Sequence, residues 1–527
     1  MTVGAAPRTY PGNPATLPPG FQPMTFGNAI RAACARDPAK PAIIYGDQVR
    51  SYGDLVRRSD ALRDAAIADL GLCKGDTAAL LARNCIEYLE VVSGLPDAGV
   101  GVATINPRLT PAEIKVAIED SRARLVICDE QSIALAREAG LDPSVRLIAL
   151  GPDYEALLAS AGRPAAYPRI EEWDVWTIPY TSGTTGQPKG VLLSHRSRML
   201  VGLISGSEFG CFGYDDKFLA MAPMNHGGGL GFPAASLASG GTVEILDRYN
   251  PLETLDRLKH GGITGVFMVP THFQMIFELP PEVTDPYRRP PIRTIISNAA
   301  PLPQAMKEKI IPWFGEGILH EIYASTEAGL VCNMRPAWHL SKERCVGTPI
   351  PHVAVEIRRE DGSVCDVDEV GELFSRSPMH FNGYWHREEE TAAAIQGDWV
   401  TVGDMARRDT DGFLYIVDRK KDMVISGGVN IYPREIEEVL VRHPAIVEVA
   451  VVGMPDERWG ETLKVFAALR EGMTLTVEEI GDFCAGKLTA YKIPRALEIV
   501  DALPRNANGK VLKRELRELR DSPVAAA

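Results

Sequence analysis

The eleven residues Tyr180-Thr181-Ser182-Gly183-Thr184-Thr185-Gly186-Gln187-Pro188-Lys189-Gly190 hold four Ser/Thr hydroxyls, three glycines and a lysine. They directly follow an apolar, strand-like run at Trp176–Tyr180. Such a loop can wrap a polyphosphate with its backbone N–H groups and hydroxyls, because glycine lets the main chain approach an anion without a Cβ clash. A flexible surface turn is the plainer alternative, yet it needs neither the preceding strand nor the lysine. The G-x-x-x-x-G-K-[ST] spacing is absent, since Pro188 holds the place where its second glycine would stand. Further along, Glu327 closes Tyr323-Ala324-Ser325-Thr326-Glu327 and taken alone reads as a solvated loop residue. Asp404 follows Gly403 and alone reads as a turn residue. Lys510 ends Asn508-Gly509-Lys510, a turn in which lysine is ordinarily solvated.

In this order, the segments resemble the adenylate-forming superfamily of acyl-CoA synthetases, adenylation domains and luciferases. Tyr180–Gly190 looks like its phosphate loop and Glu321–Glu327 like its Y-G-x-T-E segment. Trp399–Asp404 is similar to Y-x-T-G-D, Asp418–Glu437 to the hinge segment, and Pro504–Lys510 to the terminal P-x-x-x-x-G-K. The matches span about residues 25–515. Ala324, Val402 and Ser377 depart from the usual Gly, Thr and Gly, but no charged group is lost.

The resemblance implies ATP and Mg²⁺ as cofactors and CoA as cosubstrate. It places Thr181, Ser182, Gly183, Thr184, Thr185, Gly186, Lys189, Asn298 and Ala299 on the nucleotide. Tyr323 would stack on adenine, Thr326 would bind the α-phosphate and Glu327 would hold the metal. Asp404 would accept the ribose hydroxyls, and Arg419 would reach ribose or phosphate. Lys510 would bridge the acid and the α-phosphate, where a fixed cation acts most on charge developing in the transition state. Lys421 matches the hinge position, and Gly427 and Gly428 match the segment lining the CoA tunnel. A solvated charge run and a plain Gly-Gly turn are the simpler readings of those two places.

His226, Gly227, Gly228, Val269 and Ser297 are the expected acyl-pocket residues. Pro223-Met224-Asn225-His226 resembles the family's P-L-F-H, and Gly227-Gly228-Gly229 removes side-chain volume beside it. No Asp or Glu occurs between Met221 and Phe232, so an amino-acid ammonium would be buried without a counter-charge. The expectation is a carboxylic acid–CoA ligase acting through an acyl-adenylate on medium- or long-chain fatty acids, or on bulky aromatic or polycyclic ones. The alternatives are an acyl-AMP ligase that loads a carrier protein, a luciferase-like monooxygenase, and a non-catalytic nucleotide binder.

The elements that must position these residues alternate in strand and helix periodicity. Thr110-Pro111-Ala112-Glu113 predicts a capped helix, with Leu125–Cys128 a strand after it. Val266–Val269 and Thr294–Ser297 read as further strands. Helix-covered, mainly parallel sheets follow, with ligands at the strand C-terminal ends. From about Val353 short strands and turns predict a β-rich subdomain. A helix from Pro433, a strand at Ile446–Val452 and a helix carrying Ile480, Phe483, Cys484 and Leu488 predict a small mobile α+β domain. The fold class is thus α/β, with an N-terminal domain at 1–418, a hinge at 419–422 and a C-terminal domain at 423–527.

With 527 residues, the chain is too long for one core. Its net charge of −13 argues against nucleic-acid binding. Nine scattered cysteines with no C-x-x-C argue against a disulfide framework or a zinc knuckle. No secretory signal or transmembrane segment is visible, so cytoplasmic residence is expected, and a homodimer is compatible with the sequence.

Overall fold

The computed structural model describes residues 22–182, 188–505 and 511–518. Four sheets carry the chain. In the first, the strands run in the order 146–149, 125–128, 77–81, 101–105 and 175–182, all parallel, before an antiparallel turn-back at 188–190. In the second, 319–325, 294–297, 265–268, 217–220, 242–245 and 41–45 are parallel neighbours, with antiparallel strands at both edges. Gly101–Ile105, Leu125–Cys128 and Thr294–Ser297 are buried along their whole length, as expected for parallel strands covered on both faces.

The helix Pro111–Ser121 starts as its sequence dictates: the Thr110 hydroxyl accepts from the Glu113 N–H, and the Glu113 carboxylate accepts from the Thr110 N–H. The apolar stretch around Leu89–Ile105 forms a helix, Ile86–Asp97, buried at every position but Glu87, and then a strand. The helix Thr476 caps ends at Cys484 because Ala485 is extended, so Leu488 lies outside it, contrary to the expectation from spacing. Val269 likewise falls beyond its strand, Gly265–Met268, and is the cap of the next helix.

A third, antiparallel sheet is built from 354–358, 371–376, 395–396, 399–400, 404–408 and 414–419. The fourth, from 424–426, 429–431, 446–456, 460–469 and 496–499, begins five residues after the third ends at Arg419. Asp418 links them: its carboxylate accepts the backbone N–H of Arg434 at 2.9 Å, at the start of the helix Pro433–Leu440. Arg344 and Glu438 add an ion pair across the same junction.

Candidate active site

In the second sheet, Met268 pairs with Ser297 and Ser297 with Glu321. The strands are parallel, so their C-terminal ends deliver Val269, Ser297–Ala299 and Tyr323–Glu327 to one sheet edge. Strand 217–220 is in the same orientation and leads to His226–Gly228. The predicted nucleotide and acyl segments therefore meet. A Cβ placed on Gly227 would lie 3.7 Å from Thr326 Oγ1.

Asp404 is buried at the start of its strand, and both its oxygens are engaged. The Tyr323 hydroxyl donates to Oδ2 at 2.6 Å, while Arg419 Nε lies 3.1 Å from Oδ1. Arg419 is the residue directly across the strand pair from Asp404. Burial and the neighbouring carboxylate push the Tyr323 phenol well above its ordinary pKa, so it stays a donor. These three residues form a rigid, charge-matched cluster next to the Thr326–Glu327 loop.

Glu327 is half-buried, and its Oε1 accepts from the Tyr384 hydroxyl at 2.8 Å. Tyr384 is a partner that the sequence reading missed, although it lies in Gly383-Tyr384-Trp385. Lys189 Nζ sits 5.4 Å from the Tyr384 ring centre and 3.6 Å from Glu390 Oε1. The strand Val175–Ser182 pairs with Pro188–Gly190, which holds Lys189 opposite Thr181. Asp120, also unforeseen, ties both sides of this corner. Its carboxylate accepts from Tyr180 Oη at 2.8 Å and Arg387 Nη2 at 2.6 Å, and its carbonyl accepts from Trp385 Nε1 at 3.0 Å.

No group of three or more His, Cys, Asp or Glu side chains among the described residues could hold a metal ion by itself. A single carboxylate at Glu327 fits Mg²⁺, which is commonly bound by one or two carboxylates plus substrate phosphates. Gly183, Thr184, Thr185, Gly186 and Lys510 lie outside the described residues. Of Thr181 and Ser182 only the backbone is described.

The segments expected to form the acyl side carry small and apolar groups. His226 caps the helix Gly227–Ala238 in an extended conformation. Burial, with Arg108 nearby, lowers its pKa to about 4, so it is a neutral imidazole near pH 7. A Cβ on Gly228 would meet Phe267 Cζ at 3.0 Å, so an aromatic ring closes this side. The three glycines are not equivalent, which corrects their reading as a set of volume-makers. A Cβ on Gly229 would fall 1.9 Å from the Pro223 carbonyl oxygen, so this glycine permits a close backbone approach. Ser297 is wholly buried, and its hydroxyl has no hydrogen-bond partner among the described residues. The Val269 N–H donates to His272 Nδ1 at 3.3 Å, which fixes the next wall residue. Asn298 is half-buried and Ala299 exposed, the latter at φ +75°.

Gly427 and Gly428, at φ +58° and +80°, form the two-residue turn between strands 424–426 and 429–431. The turn carries no Cβ; one on Gly427 would strike Trp459 at 2.9 Å. Lys421 is exposed in the 3₁₀ turn 420–422 between the third and fourth sheets.

Comparison with known proteins identifies the family. The AMP-binding enzyme family matches residues 30–385, and the AMP-binding enzyme C-terminal domain matches residues 435–510. The 2-succinylbenzoate–CoA ligase of Geobacillus kaustophilus is 32% identical over 500 residues, covering 94% of this chain and 98% of its own. The long-chain-fatty-acid–CoA ligase of Bacillus subtilis is 32% identical over 537 residues, covering 94% of each. Among solved structures, o-succinylbenzoate CoA synthetase from Bacillus subtilis with its acyl-adenylate intermediate superposes at a TM-score of 0.83. It is 28% identical, and the match covers 94% of this chain and 98% of that one. The same enzyme with ATP and magnesium ion matches at 0.81 and 29% identity, covering 93% and 99%.

Proposed function

The chain belongs to the AMP-binding enzyme family and is an acid–thiol ligase using ATP, Mg²⁺ and CoA; within that class we propose that its acid bears a bulky, hydrophobic aryl group. The observation that carries this reading is the placement of Gly227 against Thr326 and of Gly228 against Phe267. On this reading the carboxylate would lie beside Thr326 at Gly227, and a flat ring would lie toward Phe267. The 2-succinylbenzoate ligases among the relatives support an aryl acid. Val269 would add an apolar side, whereas Ser297, wholly buried, presents no surface to the acid.

In the first half-reaction the carboxylate oxygen attacks the α-phosphorus of ATP, forming an acyl–phosphate bond as the bond to pyrophosphate breaks. Thr326 would hydrogen-bond the α-phosphate, and Asp404 with Tyr323 and Arg419 would fix the nucleoside. Mg²⁺ at Glu327 would neutralise the leaving pyrophosphate. Tyr384, donating to Glu327, would orient that carboxylate. Lys510 would offset the charge that builds between acid and phosphate. In the second half-reaction the CoA thiol attacks the acyl carbonyl and AMP leaves with the bonding pair, while the thiol proton passes to solvent. Residues 419–422 would serve as the pivot that exchanges Lys510 for the Gly427–Gly428 turn, giving an N-terminal domain at 1–418 and a mobile one at 423–527.

The test is a ligation screen of benzoate-type, phenylalkanoic, long-chain fatty and short-chain acids with ATP and either CoA or a phosphopantetheinyl carrier protein. Highest kcat/KM for aryl acids with CoA is expected. Turnover restricted to straight-chain acids, or to the carrier protein, would overturn the proposal.

A further inference from the structure

Beneath the nucleotide site lies a buried ion pair that the reaction above does not use. Lys307, in the helix Gln304–Phe314, is 1% exposed, and Glu321, in the strand Leu319–Ser325, is 6% exposed. Lys307 Nζ stands 2.5 Å from Glu321 Oε2, and Glu321 Oε1 accepts the backbone N–H of Leu302 at 2.9 Å. Lysine and glutamate are almost never fully buried unless paired, and desolvation makes such a pair a poor source of stability. Its position is more informative. Leu302 closes the loop that leaves its strand at Ser297 and carries Asn298 and Ala299. Glu321 lies on the neighbouring strand, paired with Ser297 and two residues before Tyr323. Ala299 is a non-glycine residue at φ +75°, a conformation that persists only where its surroundings hold it.

We propose that Glu321 is a positioning residue for the nucleotide: its carboxylate, whose buried charge Lys307 balances, grips the Leu302 N–H and holds the 298–302 loop in register with Tyr323. Loss of the grip lets the loop relax away from its strained form, so the nucleotide must reorder it on binding and affinity falls. The N-terminal end of the Glu321 strand is braced independently, since Gln304 Nε2 donates to the His339 carbonyl at 2.9 Å and the His339 ring bonds the Leu319 carbonyl at 2.9 Å. Loss of the Leu302 acceptor therefore acts on the loop rather than on the sheet. The inference rests on Asn298, Ala299 and Tyr323 being nucleotide residues.

Two charge-free pairs test it without leaving a lone buried charge. Lys307→Met with Glu321→Gln keeps an acceptor for Leu302, whereas Lys307→Met with Glu321→Met removes it. In ATP–pyrophosphate exchange, the Gln pair is expected to keep KM for ATP within threefold of wild type. The Met pair is expected to raise it about tenfold, with KM for the acid changed less than twofold. Equal KM for ATP in both pairs, whether normal or raised, overturns the proposal, as does a parallel rise in KM for the acid. If the Met pair does not fold, the proposal stands or falls on ATP protection of the Gln pair against proteolysis at the loop, which must equal that of wild type. Asp404→Ala is the control: if it leaves KM for ATP unchanged, the nucleotide-site reading fails rather than the positioning role.

Discussion

Gly228→Ala puts one methyl group where the acyl group is expected to lie. The new Cβ would stand 3.0 Å from Phe267 Cζ and 3.2 Å from Cε1, so the ring must shift by a few tenths of an ångström. It cannot retreat freely, because Phe267 packs on Phe232 at a centroid distance of 5.3 Å, and Phe232 packs in turn on Phe212 and Phe218. Overpacking of this kind costs about 1–3 kcal/mol when absorbed by a core. Relief is available on the acyl side, so that cost falls on binding of any acid that reaches the ring. At about 1.4 kcal/mol per tenfold, kcat/KM for an aryl acid should drop roughly 5- to 150-fold, with KM for ATP unchanged. Acetate and propionate, too short to reach Phe267, should keep their values. Phe267→Leu in the same chain should recover much of the loss. The assay is continuous pyrophosphate release across a series of acids. A uniform loss for all acids, or none for any, would refute the placement of Gly228 and Phe267 at the acyl wall. Gly229→Ala is the structural contrast: its Cβ clashes with the Pro223 carbonyl, so thermal stability should fall whatever the acid.

Tyr323→Phe removes a 2.6 Å hydrogen bond to the Asp404 carboxylate, and bonds to charged groups contribute about 1.5–3 kcal/mol. KM for ATP should therefore rise at least about tenfold in pyrophosphate exchange, and an unchanged value would detach this pair from the nucleotide. Lys510→Ala should slow acyl-adenylate formation roughly 10²–10³-fold while sparing thioester formation from supplied acyl-adenylate. Equal slowing of both half-reactions would sink its assignment to the first. Burial lowers the pKa of His195 to about 3 and those of His272 and His339 to about 4. Unfolded histidine titrates near about 6.5, so below that pH the unfolded chain takes up protons that the folded chain refuses. Stability is thus full above about pH 6.5 and lost toward pH 4, by up to about 1.4 kcal/mol per pH unit for each histidine. Urea denaturation at pH 7.5 and 5.5 measures this, and equal midpoints would contradict it.

What was legible in the chain was mostly local. Thr110 and Thr476 each announce a helix start because the capping partners lie three residues on. Thr294–Ser297 is readable as a strand because it is a short apolar run bounded by loops. Leu488 was misassigned because apolar spacing continues past Cys484, while the backbone turns extended at Ala485. The motif residues Tyr323, Glu327 and Asp404 were found through their segments, but their partners were not. Tyr384 reaches Glu327 from 57 residues away, and Asp120 reaches Arg387 from 267, distances over which no periodicity speaks. Gly228 and Gly229 are identical letters in sequence. Only the neighbouring ring of one and the neighbouring carbonyl of the other separate a pocket wall from a backbone contact. Nothing in the sequence marks Lys307, since a lysine on a helix is ordinarily solvated.

The central claim is that the acid is activated as an acyl-adenylate before it meets CoA. An isotope experiment tests it most directly: the acid is supplied with both carboxylate oxygens as ¹⁸O, and AMP, pyrophosphate and the thioester are analysed by mass spectrometry after a single turnover. Attack of the carboxylate on the α-phosphorus followed by thiolysis predicts one heavy oxygen in AMP, one in the acyl-CoA and none in pyrophosphate. Unlabelled AMP, or ADP with labelled phosphate, would contradict the account.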